Sequence, residues 1–128
     1  MKKNKPIIGV ILDYNKGSEK SYSIRPHYAI RHNYIQALND AGAVPILIPY
    51  CYDAIEQYVD MIDGLMIVGG HFDINPKRYN ELTIHPETLL NEPRENFEFE
   101  FVKKALNKEL PFLGICNGMQ LLNILYCS

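Results

Sequence analysis

Several features that mark particular classes of protein are scarce or missing in this sequence. Its three cysteines, Cys51, Cys116 and Cys127, are an odd number without a Cys-x-x-Cys pair. The sequence therefore predicts no disulfide framework and no zinc or other metal site. Such cysteine usage is typical of a reducing compartment, so we expect a cytoplasmic protein. No phosphate-binding loop is present, and we expect no cofactor.

Charge of one sign and long apolar runs are also lacking. The formal net charge is -2, and the Lys and Arg residues are scattered. This distribution argues against a nucleic acid or a membrane surface as a partner. The apolar run at residues 7–12 ends at Asp13 without a cleavage site, so a buried strand explains it better than a signal peptide. No apolar run approaches the roughly 20 residues needed to span a bilayer.

What is present is an alternation of short apolar runs with longer amphipathic segments. A chain of 128 residues with 47% hydrophobic and 22% charged residues is expected to form one globular domain. Strands are predicted at 7–12, 43–49, 64–70 and 110–115, and helices at 28–42, 53–62, 93–109 and from 117 onward. Continuous apolar strands are typical of a parallel sheet covered on both faces. The pattern predicts a doubly wound α/β fold of the flavodoxin-like type.

The helices carry further local signals. The first helix has Ile30, Tyr34, Ala37, Leu38 and Ala41 on one face, and Gly42 is placed to cap its carboxyl end.

The later helices carry signals of the same kind. Asp53 is a possible cap of the second helix. Pro93 is placed in the first turn of the third, whose apolar stripe contains Phe97, Phe101 and Ala105. The one long irregular stretch, residues 71–92, is of the length usually found in functional or mobile loops.

Two motifs follow predicted strands at the end where α/β sheets bind ligands. In "GICNG", residues 114–118, Cys116 stands at a sharp turn from strand to helix, which presents its side chain. A helix N-terminus also favours a thiolate, so Cys116 is the candidate nucleophile. In "VGG", the flexible backbone at Gly69 and Gly70 can direct N–H groups at a developing oxyanion, and the N–H of Asn117 is a second donor.

Other interpretations of these motifs stay open. A cysteine between an apolar strand and an apolar helix is often a small buried hydrophobic residue. The domain could also be a flavodoxin-like binding module in which Cys116 has no chemical role. Cys51 and Cys127 have no comparable setting, and we interpret both as incidental.

Four stretches together resemble the class I glutamine amidotransferase-like family, and more narrowly the gamma-glutamyl-gamma-aminobutyrate hydrolase or peptidase C26 group. They are "PIIGVILDY", "YAIRHNYIQALNDAGAVPILIPY", "DGLMIVGGHFDINPKRYNE" and "RENFEFEFVKKALNKELPFLGICNGMQLLN". The third contains an Asp-x-x-Pro-x-x-Tyr pattern formed by Asp73, Pro76 and Tyr79. The resemblance covers almost the whole chain and implies that residues 1–128 form the N-terminal half of such a domain.

The resemblance implies a role for several residues. Cys116 matches the nucleophile that attacks a γ-glutamyl amide to give a thioester. Gly69, Gly70 and the N–H of Asn117 match the oxyanion hole, and Gln120 matches a residue of the glutamyl pocket. Two positions depart from the group's pattern: Asn117 stands where Arg is usual, and Val68 stands where many relatives have Pro.

The general base is the part that the sequence does not supply. The family's catalytic His and its orienting acid lie downstream of the elbow, whereas His27, His32, His71 and His85 all precede it. A Cys nucleophile needs a base within hydrogen-bond reach. Of the four, only His71 follows the glycine turn closely enough to be considered a substitute.

Two functional hypotheses follow for the whole chain. In the first, it belongs to a hydrolase of small γ-glutamyl compounds and is inactive or very weak by itself. In the second, it is a non-catalytic remnant or a partner-binding fragment. Both allow self-association or assembly with a complementing C-terminal half.

Overall fold

The computed structural model describes residues 4–127 as one layered α/β unit. The strands are β1 (Ile7–Ile11), β2 (Asp13–Asn15), β3 (His27–Ala29), β4 (Val44–Ile48), β5 (Gly64–Ile67) and β6 (Phe112–Gly114). The helices are α1 (His32–Asp40), α2 (Ile55–Met61), α3 (Glu92–Asn107) and α4 (Asn117–Cys127). Short 3-10 turns occur at Tyr52–Ala54 and Pro76–Tyr79.

The central sheet has the order β4-β1-β5-β6, and every neighbouring pair of strands is parallel. The predicted doubly wound α/β architecture is therefore confirmed. All four predicted strands are present, although β5 ends at Ile67, so that Gly69 and Gly70 lie in the loop beyond it.

Alternate residues of the central strands form two separate cores. On one face, Ile11, Leu65 and Ile67 pack with buried side chains of α2, α3 and α4. On the other face, Val10, Met66 and Val68 pack with residues of and beside α1. Side chains along a strand point alternately to the two faces, so these apolar runs cover both sides of the sheet.

Helix α1 ends as the sequence predicts but begins later. Gly42 has a φ of +88°. The Gly42 and Ala43 N–H groups donate to the carbonyls of Asn39 and Leu38. This is the hydrogen-bond pattern of a Schellman cap.

The predicted face of α1 needs one correction. The side chains packed on the sheet are Ile30, Tyr34, Ile35 and Leu38, whereas Ala37 and Ala41 are exposed.

A hairpin replaces the predicted first turn of α1. Residues of β3 pair antiparallel with β2, and Tyr14 lies opposite Tyr28. The two rings contact each other edge to face, and both lie against Tyr50 after β4. Because Tyr50 is distant in sequence, the contact that holds Tyr28 in the strand is invisible to local helical periodicity.

Helix α3 begins at a side-chain cap, since the Asn91 side chain accepts from the N–H of Arg94. Pro93 lies in its first turn, and Phe97, Phe101 and Ala105 are buried, as predicted. The prediction for Asp53 is wrong, because Asp53 lies inside the 3-10 turn and α2 has no side-chain cap.

No helix between residues 4 and 127 combines the length and apolar character that crossing a membrane requires.

Candidate active site

The turn from β6 into α4 has the geometry of a nucleophile elbow. Cys116 has a φ of +54°, in the left-handed region that non-glycine residues rarely adopt. A Cβ on Gly114 would lie 2.5 Å from the backbone of Gly118, and a Cβ on Gly118 would lie 2.6 Å from the Ile67 carbonyl oxygen. Both flanking glycines are therefore required for the turn to pass so close to itself and to β5.

The elbow presents Cys116 at the surface of a cleft. The side chain is exposed, so it is not the small core residue of the alternative interpretation. The cleft has a volume of about 930 Å³ and is also lined by Tyr34, Gly69, Gly70 and His71. Cys51 and Cys127 are exposed too, but they lie outside this cleft. Of the three exposed thiols, only that of Cys116 lies at this open space.

The loop after β5 approaches the elbow closely. A Cβ on Gly69 would lie 3.3 Å from the Cβ of Cys116 and 3.3 Å from the Tyr34 hydroxyl oxygen. The Gly70 N–H donates to the side-chain oxygen of Asn117 at 2.9 Å and is therefore occupied. Within residues 4–127, the N–H groups of Gly69 and Asn117 have no hydrogen-bond acceptor. These two N–H groups beside Cys116 are therefore unoccupied among the described residues.

A buried arginine that the sequence analysis missed supports this loop from the opposite side. Arg94 is fully buried and donates to the Val68 carbonyl and, at 3.2 Å, to the Gly69 carbonyl. It also forms ion pairs with Asp13 at 2.9 Å and with Glu98 at 3.0 Å. The signal was present: Arg94 and Glu98 lie four residues apart on the same apolar stripe as Phe97 and Phe101, where charged residues are out of place.

Burial shifts the acid-base behaviour of this cluster. Desolvation raises the pKa of Glu98 to about 7, against the lowering effect of the Arg94 charge. Burial alone would lower the pKa of Arg94, but Glu98 and Asp13 raise it above its ordinary value, so the guanidinium stays charged. The pKa of Tyr50 is also raised, first by burial and then by Glu98.

The remaining predicted residues are placed unequally. Of the four histidines, His71 alone lines the cleft of Cys116. No hydrogen bond joins Cys116 to a histidine in the portion of the chain from 4 to 127. Gln120 is exposed on α4, and its N–H donates to the Cys116 carbonyl at 3.1 Å, but it does not line the cleft. Its role in a glutamyl pocket stays a prediction.

Comparisons with known proteins agree with this geometry. The family model described as Peptidase C26 matches residues 6–127. A Rickettsia prowazekii protein named "Putative glutamine amidotransferase-like protein RP404" is 48% identical over 97% of this chain and 44% of its own length. Protein NtpR of Enterococcus hirae is 32% identical over 93% of this chain and 50% of its own length. The chain thus spans about half the length of these relatives, or less. It belongs to the peptidase C26 family of class I glutamine amidotransferase-like proteins.

Proposed function

We propose that this chain carries the nucleophile and oxyanion hole of a cysteine-dependent hydrolase of γ-glutamyl amides. The observation that supports the proposal most is the juxtaposition of an exposed, left-handed Cys116 with the Gly69 loop at one cleft. Strand-to-helix elbows of this kind present nucleophiles for acyl transfer. The family membership of the chain supports the same chemistry.

The reaction would proceed through a thioester. The Cys116 thiolate attacks the γ-carbonyl carbon, and the electron pair of the carbonyl bond moves to the oxygen. The N–H groups of Gly69 and Asn117 stabilise that oxyanion by hydrogen bonds, which strengthen as the charge develops. As the intermediate collapses, the C–N bond breaks and the proton that the general base took from the thiol passes to the leaving nitrogen, so that a neutral amine departs. Water then cleaves the thioester to free the γ-carboxylate.

We assign the general base to a group outside residues 4–127. A nucleophilic cysteine works with a base that is oriented by a third group. His71 lines the cleft, but no carboxylate is hydrogen-bonded to its ring in the described part of the chain. We therefore expect acylation by the 128-residue chain to be slow and its turnover to be insignificant.

Three exposed thiols suit the reducing cytoplasm, where we place the protein.

Acylation with a matched pair of substrates tests the proposal. The chain is incubated with γ-glutamyl 4-nitroanilide or with its α-glutamyl isomer, and the intact mass is followed with time. We expect a γ-glutamyl adduct on Cys116, located by peptide mapping, and much less adduct from the α-isomer. Addition of imidazole as an external base should accelerate acylation.

Two cysteine variants provide the control. Cys116→Ala should abolish the adduct, whereas Cys51→Ala should leave its rate unchanged because Cys51 lies outside the cleft. Equal acylation by the two isomers would contradict the γ-glutamyl assignment. Absence of any adduct on Cys116, with or without imidazole, would contradict the assignment of Cys116 as the nucleophile.

A partner-binding role is the second candidate, and a surface feature favours it. Within residues 4–127, β6 is hydrogen-bonded to a strand on one side only. Leu113 on β6 and Met119 on α4 are 54% and 60% exposed. We propose that this edge of the sheet receives a further polypeptide, either a second copy of this chain or a complementing segment that supplies the base. An exposed strand edge beside apolar side chains suits either occupant.

A further inference from the structure

The side chain of Asn117 has an unusual set of partners for a residue next to a nucleophile. It is buried, and its Oδ1 accepts from the Gly70 N–H at 2.9 Å. Its Nδ2 donates to the Phe72 carbonyl at 2.7 Å. One side chain at the start of α4 thus bridges both ends of the segment 70–72 in the loop after β5.

Arg94 binds the same loop at the carbonyls of the two residues before Gly70. Its guanidinium donates to the carbonyls of Val68 and Gly69. All described peptide bonds are trans, so the N–H of each peptide group points opposite to its carbonyl. The N–H groups of Gly69 and Gly70 therefore both point away from Arg94.

The side chain of Asn117 makes these two N–H groups different. Its side-chain oxygen already occupies the Gly70 N–H, which leaves the Gly69 N–H to face an incoming oxygen. The guanidinium is held in place by ion pairs with Asp13 on β2 and with Glu98 on its own helix, α3.

We propose that the side chain of Asn117 is a positioning residue, which together with Arg94 clamps the loop from Val68 to Phe72 in its oxyanion-binding conformation. In this arrangement the Gly70 N–H is an anchor and not a donor to the substrate. The inference rests on the proposed function, and it adds a role for a side chain where only the backbone N–H was assigned.

Two electrophiles that react with the same sulfur distinguish a positioning role of Asn117 from a general effect on stability. With 4-nitrophenyl acetate, Cys116 Sγ bonds to the carbonyl carbon, an oxyanion forms, and the C–O bond breaks to release 4-nitrophenolate. With iodoacetamide, the sulfur displaces iodide and no oxyanion develops. Asn117→Ala should lower the acylation rate by roughly tenfold or more, a fraction of the loss seen when an oxyanion donor is removed. Its alkylation rate should change by less than about twofold.

A control and a second variant complete the test. Asn123→Ala removes an exposed asparagine from the same helix and should change neither rate. If circular dichroism shows that Asn117→Ala is unfolded, Asn117→Ser decides instead, since its single oxygen cannot occupy the positions of both Oδ1 and Nδ2.

Certain results would overturn the clamp. Acylation by the folded variant within about twofold of the wild type, or faster because the Gly70 N–H is released, would do so. An equal loss of acylation and alkylation would also do so. None of these outcomes depends on γ-glutamyl specificity, because 4-nitrophenyl acetate carries no glutamyl group. A failure of the proposed function would appear separately, in the γ- and α-glutamyl comparison.

Discussion

At the scale of single residues, the candidate site is assembled from two recognisable motifs and one network without a motif. Glycine-flanked turns, which are visible in the sequence without knowledge of tertiary structure, indicate Cys116, Gly69 and Asn117. They do not indicate Arg94 and Asp13, because 81 positions separate these two in sequence and only the folded sheet brings them together. Charged residues on an apolar helical stripe are the local sign of such a network, but they do not identify the distant partner.

The reactivity of the three thiols tests the placement of the nucleophile. All three are exposed, so exposure alone does not favour any of them. Cys116 should be alkylated fastest, because it precedes α4 and the free N–H groups of a helix N-terminus stabilise a thiolate. Limited iodoacetamide labelling followed by peptide mapping measures the order. Faster labelling of Cys51 or Cys127 in the folded protein would count against this assignment.

The buried Glu98 predicts a pH dependence of stability with a definite sign. Its pKa is raised from 4.5 to about 7 in the folded state. Between these values the folded protein retains a proton that the unfolded chain has lost, so the free energy of unfolding falls as pH rises. Glu98→Gln should remove this part of the slope, on the order of 2–3 kcal/mol across the window. Urea unfolding at a series of pH values measures it.

A second glutamate on α3 provides the control for this measurement. Glu100 is exposed, and Glu100→Gln should leave the slope unchanged. Parallel curves for the wild type and Glu98→Gln between pH 4.5 and 7 would show that Glu98 ionises normally in the folded protein.

At the scale of helices and strands, the apolar pattern predicted most of the fold, and the tertiary contacts account for its errors. Runs such as 64–70 are recognisable because burial on both faces leaves no polar position in the strand. The β2–β3 hairpin was missed, since its pairing depends on contacts between Tyr14, Tyr28 and Tyr50. The end of α1 was predicted correctly because a glycine cap is a strictly local feature.

Two glycine substitutions distinguish the elbow from an ordinary helix cap. Gly118→Ala would place a Cβ 2.6 Å from the Ile67 carbonyl oxygen, so α4 must shift relative to β5. We expect a loss of about 1–3 kcal/mol in stability together with slower acylation of Cys116 by 4-nitrophenyl acetate. Gly42→Ala meets no atom within 4 Å but has a φ of +88°. Its backbone strain should cost roughly 1–2 kcal/mol without changing acylation.

Thermal unfolding and acylation rates measured on the same samples decide between these expectations. An unchanged acylation rate in Gly118→Ala would show that the position of Cys116 does not depend on the close packing of the elbow. A slower rate in Gly42→Ala would show that damage to α1 reaches the site through Tyr34, and the contrast would be lost.

At the scale of the whole molecule, the two edges of the sheet differ in what surrounds them. Strand β4 lies at one edge, where Val44 and Leu47 are 42% and 45% exposed. The other edge, β6, is followed by α4, and the most exposed apolar side chains of these two elements are Leu113, Met119 and Tyr126. Leu113 shares the sheet face of its pairing partner Met66, whereas α4 packs on the opposite face, so the three residues border the β6 edge from both sides. We call these three residues the β6–α4 edge. Cys116 lies between the two elements that carry it.

We predict that the 128-residue chain self-associates through the β6–α4 edge. Removing a large apolar side chain from water contributes roughly 1.5–3 kcal/mol, and a few such side chains are comparable with a domain's net stability of about 5–15 kcal/mol. The double variant Leu113→Lys/Met119→Lys should therefore shift the chain toward monomer in analytical ultracentrifugation. Val44→Lys/Leu47→Lys adds the same charge at the opposite edge and should leave association unchanged. A wild type that is monomeric at all concentrations would refute self-association. Equal effects of the two double variants would refute the β6–α4 edge as the contact, because a general increase in charge would then explain the dissociation.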